Sequence, residues 1–194
     1  MITIELDKKS KELAKNLRHL STKQVNRASY VAINRTLTHA RKTLSVDARV
    51  RYVAKAGPIK ASLELKRADE GNLSGSVIST GRQLSLSAFQ TTAYKRGPVG
   101  VRIIRQGKGA KMQRVPGMIK KDWPSGYSGV MMRTSKNKYP LKTPGGPSVP
   151  QMVGNEEVLK SAAPEIGEFL NERFQHEIEH RFGVLCKTFG GETE

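Results

Sequence analysis

The chain has 194 residues, 37% of them apolar, and a formal net charge of +17 at neutral pH. That length can bury a core without staples, and the single cysteine, Cys186, excludes an internal disulfide framework. No run approaches the ~18 apolar residues of a membrane span, and the N-terminus lacks the basic start and apolar run of a secretory signal, so a soluble protein made in a cytosol, with no membrane partner, is expected.

Ile2, Ile4 and Leu6 alternate with polar residues and predict a short strand. Leu13, Leu17 and Leu20 predict a short helix over residues 8–20. Ser21 or Thr22 then caps a longer helix, whose apolar stripe is Val25, Ala28, Ala32, Ile33, Leu37, Ala40 and Leu44. Arg27, Arg35, Arg41 and Lys42 fall on its flanks. Gly57-Pro58 breaks the chain, and Pro58 suits the first turn of another helix running to about Ala68, with Ile59 and Leu63 inward. The helical part is thus residues 8–68.

Residues 71–154 hold thirteen of the eighteen Gly and seven of the nine Pro, which cut this stretch into short runs. The runs are 73–80, 84–89, 99–104, 115–119 and 130–132. Alternation in Leu84, Leu86 and Ala88, and in Val99, Val101 and Ile103, predicts an antiparallel sheet with irregular connections. Residues 105–114 read as a flexible basic loop, and 139–150, with four Pro, as extended chain.

Asn155 caps the closing helix, residues 155–182, with Glu156 and Glu157 at its positive end. Its stripe is Leu159, Ala163, Ile166, Phe169, Leu170, Phe174, Ile178 and Phe182. Pro164 is placed to split this helix near its start and Gly183 to end it; residues 184–194 read as a disordered tail. The fold class is α+β, one domain over residues 1–183: N-terminal helices, a central antiparallel β-sheet with long basic loops, and a long C-terminal helix.

Charge is segregated along this order. Residues 71–155 carry fourteen Lys or Arg against one acid, Asp122. Residues 1–70 carry sixteen bases and seven acids, and residues 156–194 four bases and nine acids. The basic middle should attract polyanions or an acidic partner through Lys95, Arg96, Arg102, Arg105, Lys108, Lys111, Arg114, Lys120 and Lys121. The acids of the closing helix, Glu165, Glu168, Glu172 and Glu179, offer an anionic subunit interface. They could approach the basic middle of a neighbouring copy or neutralise the same subunit's sheet.

Catalytic signals do not converge. His176-Glu177-Ile178-Glu179-His180 matches the zinc-protease pattern, with two His one helical turn apart and a Glu as general base. A third ligand would have to come from Cys186, Glu192 or Glu194, and Phe174, Ile178 and Phe182 put both His roughly opposite the core, so a solvated helix face is the preferred reading. The glycines at 107 and 109 lack the spacing and the Lys-Ser/Thr ending of a nucleotide loop. No enzyme, cofactor or metal site is expected.

Four pieces, in order, carry a resemblance. Ala32-Ile33-Asn34-Arg35 lies in a helix, and Leu63-Glu64-Leu65-Lys66-Arg67-Ala68 precedes the strand-rich region. Lys138-Tyr139-Pro140-Leu141 leads to Pro147-Ser148-Val149-Pro150, and a long helix closes the pattern. Over residues 20–182 the chain resembles the minor tail protein Z family of long-tailed bacteriophages and prophages. The acidic closing helix departs from the more basic one expected of that family. The resemblance implies a non-enzymatic virion protein, similar to tail-completion proteins that act where the tail tube ends and joins the head. It would be made in the bacterial cytoplasm and reside in the virion tail. Implied partners are other phage tail or head-joining proteins, further copies in a homo-oligomeric ring, and non-specific contact with DNA. The rival readings are a non-specific nucleic-acid-binding basic protein and, more distantly, a zinc-dependent hydrolase at the His176–His180 string.

Overall fold

The computed structural model describes residues 2–4, 22–92, 99–105, 110–122, 128–137 and 139–189. The helix expected over 8–20, residues 106–109 of the basic loop and the last five residues lie outside that set. The elements are β1 (Ile2–Ile4), α1 (Thr22–Arg51), α2 (Ala56–Ser62), β2 (Leu63–Lys66), β3 (Gly75–Ser79), β4 (Gln83–Ser85), β5 (Gln90–Thr92), β6 (Gly100–Arg102), β7 (Gln113–Arg114), β8 (Met118–Asp122), β9 (Ser128–Arg133), β10 (Leu141–Lys142), β11 (Gly145–Ser148), α3 (Val149–Val153) and α4 (Glu156–Phe189). A 3₁₀ turn, Leu86–Ala88, follows β4. Helices at both ends with small antiparallel sheets between them make this an α+β fold.

The chain divides into two compact units. The first comprises residues 1–44, 63–78 and 159–194. Here the stripe of α1 is buried as its spacing predicts: Ala28, Ala32, Ile33, Leu37, Ala40 and Leu44 are wholly inaccessible. Ala28 and Ala32 cluster with Phe174 and Ile178 of α4. The polar residues among them are satisfied locally. Ser29 donates to the Val25 carbonyl at 2.8 Å and Thr36 to that of Ala32 at 2.9 Å, so neither hydroxyl is left unpaired in the core. The sheet of this unit has the order β1–β3–β2, with Ile2 opposite Val77 and Ile4 opposite Gly75. Gly75 is there because the helix comes close: a Cβ at this position would stand 2.7 Å from Leu37 Cδ1 and 3.0 Å from Ile33 Cγ2.

The second unit comprises residues 45–62 and 79–158. Three small antiparallel sheets replace the single sheet expected: β5–β6–β7, β10–β9–β8 and the pair β11–β4. Ile59, Val130 and Met152 are wholly buried, and α2 lies against α3. Ser148 and Gln151 form a reciprocal capping box at the start of α3. Asn155 Oδ1 accepts from the Glu157 amide at 3.1 Å, and the Glu157 carboxylate pairs with Arg51.

Several expectations are corrected. The helix begun at Pro58 stops at Ser62, and Leu63–Lys66 is a strand. Leu63 satisfies either reading, since it stands one helical turn after Ile59 and also opens an alternating run; the strand pairing with β3 is non-local, and such context overrides local propensity. The run 84–89 is strand only to Ser85, where the Ser85 hydroxyl caps the 3₁₀ turn. Part of the expected basic loop, Gln113–Arg114, pairs with β6 as β7. The extended stretch 139–150 does supply β10 and β11, but its last two residues already begin α3, because Pro150 is tolerated where no amide donor is needed.

The closing helix is not split at Pro164. Pro164 is exposed, so the hydrogen bond it removes lies on the side where water can replace it. Nor does Gly183 end it, as the helix continues to Phe189; one Gly costs a helix only about 1 kcal/mol. Its buried line is Val158, Ala162, Ile166, Leu170, Phe174 and Ile178, so the first two turns bury Val158 and Ala162 where Leu159 and Ala163 were expected. A strict four-residue spacing advances about 40° per step on a 3.6-residue turn, which makes the apolar face a spiral.

Candidate functional site

The sequence motifs Ala32–Arg35 and Leu63–Ala68 meet in the first unit. The Asn34 side chain binds Ala68 at both ends: its Nδ2 donates to the Ala68 carbonyl at 2.8 Å, and its Oδ1 accepts from the Ala68 amide at 2.9 Å. This two-point clamp fixes the chain beside Arg67. A cleft of about 450 Å³ opens there, lined by Val31, Asn34, Arg35, Thr38, Arg67, Phe169 and Arg173. Three guanidinium groups therefore border one hollow.

Two of the three are held by partners of their own. Arg35 Nη1 lies 2.6 Å from Glu177 Oε1, and the Arg173 guanidinium sits over the Phe169 ring at 5.2 Å from its centroid. The other neighbours of the cleft are also ordered by contacts. The ring of Phe169 stacks on His39 at 4.0 Å between centroids, with 7° between planes. Thr43 donates to Glu165 Oε1 at 3.1 Å, and His39 Nε2 lies 3.5 Å from the same oxygen.

Glu177 corrects the reading of the His176–His180 string as a solvated face. Its side chain is only 7% exposed, and it also lies 3.7 Å from Arg181 Nη2. A buried carboxylate needs such partners. His176 and His180 are exposed, as expected, with ring centroids 6.5 Å apart. The acid that a zinc site would use as base is thus turned inward and tied to arginine. Among the described residues no group of three or more His, Cys, Asp or Glu is placed to hold a metal ion. The side chain of Cys186 lies outside what is described.

The basic residues of the middle are distributed over the second unit. Arg102 on β6 is half-buried, and its guanidinium donates to the carbonyls of Ile104 at 3.4 Å and Arg105 at 2.6 Å. Arg105, Lys111, Arg114 and Lys120 are exposed. Gly100 faces Arg114 across β6–β7, so Arg102 and Arg114 take diagonal positions on one face of that sheet. Lys120 belongs to another sheet, opposite Val130. Lys121 is the next residue of β8; its side chain, and Lys95, Arg96 and Lys108 altogether, lie outside the described residues. Of the acids, Glu168, Glu172 and Glu179 are exposed, within about 40° of one another around α4. Glu165, 57% exposed, is the one that binds α1.

Sequence reasoning did not single out the cleft. Arg35, Arg67 and Arg173 are each unremarkable charges, separated by 32 and 106 residues. The available signal was Asn34, a mediocre helix former in the middle of a strong helix, which stands in the first of the pieces that carry the family resemblance.

The model of the prophage minor tail protein Z (GPZ) family matches residues 8–186, most of the chain. The protein belongs to that family. It is therefore a structural protein of phage tails, of a kind not defined by catalysis. No curated protein and no solved structure matches the chain. Among the described residues of this tail protein no helix is long and apolar enough to cross a membrane.

Proposed function

We propose that this tail protein acts in tail completion and head–tail joining. It works as a building block, through contacts with other tail or head-joining proteins and with copies of itself in a ring, on tails assembled in the bacterial cytoplasm. The observation that carries the reading is the exposed row Glu168, Glu172 and Glu179 on one side of α4, in a chain whose net charge is +17. Among the described residues, none of the three has an ion-pair partner in its own unit. Arg105, Lys111, Arg114 and Lys120 of a neighbouring copy are the complementary set. A ring is the closed form of such unlike-face contacts.

Electron microscopy of particles assembled without the protein tests the role: tails of normal length that fail to join heads are expected, and tails of altered length would overturn it. Sedimentation across a salt series tests the contact. Charge-driven association weakens as salt screens it, so association insensitive to salt would remove the acidic row from the interface.

Non-specific DNA contact is a second reading, favoured by Arg102 and Arg114 sharing a sheet face. Its signature would be affinity that falls steeply with salt, with a slope reduced by about one on removing each contacting base.

A further inference from the structure

We propose that the cleft of Arg35, Arg67 and Arg173 is a binding site for carboxylate side chains on an acidic peptide segment of a neighbouring protein. It is distinct from the acidic row of α4 and from the bases of the middle, and it does not depend on the tail-completion reading. Three guanidiniums border the hollow, but the carboxylate beside it, Glu177, pairs with Arg35. Among the described residues neither Arg67 nor Arg173 has an ion-pair partner. Like charges bordering one cleft favour the entry of an anion.

The site is also pre-ordered. The Asn34–Ala68 clamp fixes the backbone beside Arg67, Glu177 holds Arg35, and the Phe169 ring holds Arg173. Little side-chain freedom is then lost at Arg35 and Arg173 when a ligand binds, which raises affinity without new contacts. Guanidinium forks pair carboxylates in a directional way that a lysine does not.

The walls favour peptide over nucleic acid. Val31 and Phe169 put apolar surface beside the charges, which suits the methylenes of a Glu and an apolar neighbour in the same segment. A duplex backbone would engage the arginines through phosphates alone and leave the apolar surface of Val31 and Phe169 unused.

The test is fluorescence anisotropy on the full chain, with a labelled short peptide of alternating Glu and Leu, its Gln-for-Glu counterpart and a short random duplex DNA. The acidic peptide should bind and the Gln peptide should bind at least about tenfold more weakly. Arg67→Gln and Arg173→Gln should each weaken the acidic peptide about tenfold, the size of one lost charge-assisted bond. Lys111→Gln and the pair Glu168→Gln, Glu172→Gln should leave it unchanged. Arg67 is exposed, so Arg67→Gln decides alone if Arg173→Gln proves unfolded by circular dichroism. Equal binding of the two peptides, or full affinity in Arg67→Gln, overturns the proposal. So does a result in which the arginine variants lose DNA and keep the peptide. Failure of heads and tails to join, with peptide binding intact, would bear on the tail role alone.

Discussion

In the unit of α1 and α4, six stripe positions from Ala28 to Leu44 are wholly buried along one helix. In the unit of residues 45–62 and 79–158, strands run from two to six residues, and the wholly inaccessible apolar side chains come singly from different elements: Ala48 from the end of α1, Ile59 from α2, Val130 from β9, Met152 from α3. One core is written as a local period; the other is gathered from distant points. The first is legible from spacing and tolerates little change in shape. The second depends on turns and caps to bring single residues together.

The sharpest way to break this contrast is to empty each core. Phe174→Ala should cost about 4 kcal/mol and Ile59→Ala about 3 kcal/mol in chemical denaturation. Hydrogen exchange should then quicken mainly in α1 and α4 for the first, and in α2 and α3 for the second. Uniform quickening in both variants would erase the distinction between units.

Electrostatics gives the next effect. Glu177→Gln should cost about 2 kcal/mol, because Arg35 and Arg181 lose a buried carboxylate. An unchanged denaturation midpoint would show that the pair is dispensable to the helical core.

Packing against glycine compares the units directly. Gly75→Ala drives a methyl into Leu37, which is wholly buried, and should cost about 2 kcal/mol. Gly146→Ala meets Phe89 Cε2 at 2.6 Å, and should cost about 1 kcal/mol if the sheet-rich unit yields more readily. The reverse order in thermal unfolding would make the sheet-rich unit the stiffer one.

Smaller still is the cap. Ser148→Ala removes the capping box of α3 and should cost about 1 kcal/mol. Val50→Ser, at a position 55% exposed, should change stability by less than about 0.5 kcal/mol.

The fold was readable where burial follows a helical period. The α1 stripe is buried from Ala28 to Leu44, and in α4 Ile166, Leu170, Phe174 and Ile178 are buried as their spacing predicts, while Val25 and Phe169 are half-buried. It was unreadable at Leu63–Lys66, where a helical and an alternating pattern share the same leucine, and at Gln113–Arg114, two polar residues whose pairing is decided by β6. The site was less readable than the fold. Glu177 lies in a string that mimics a metal motif, and nothing local announces that its partner is Arg35, 142 residues earlier.

The amino-acid order alone determined the two long helices, the segregation of charge and the family to which the tail protein belongs, because periodicity, net charge and ordered motifs are properties of the chain itself. Tertiary structure alone decided which short runs pair, which acid is buried, and that Arg35, Arg67 and Arg173 border one cleft. Those are relations between residues far apart in sequence, and they exist only once packing has brought the segments within a few ångströms.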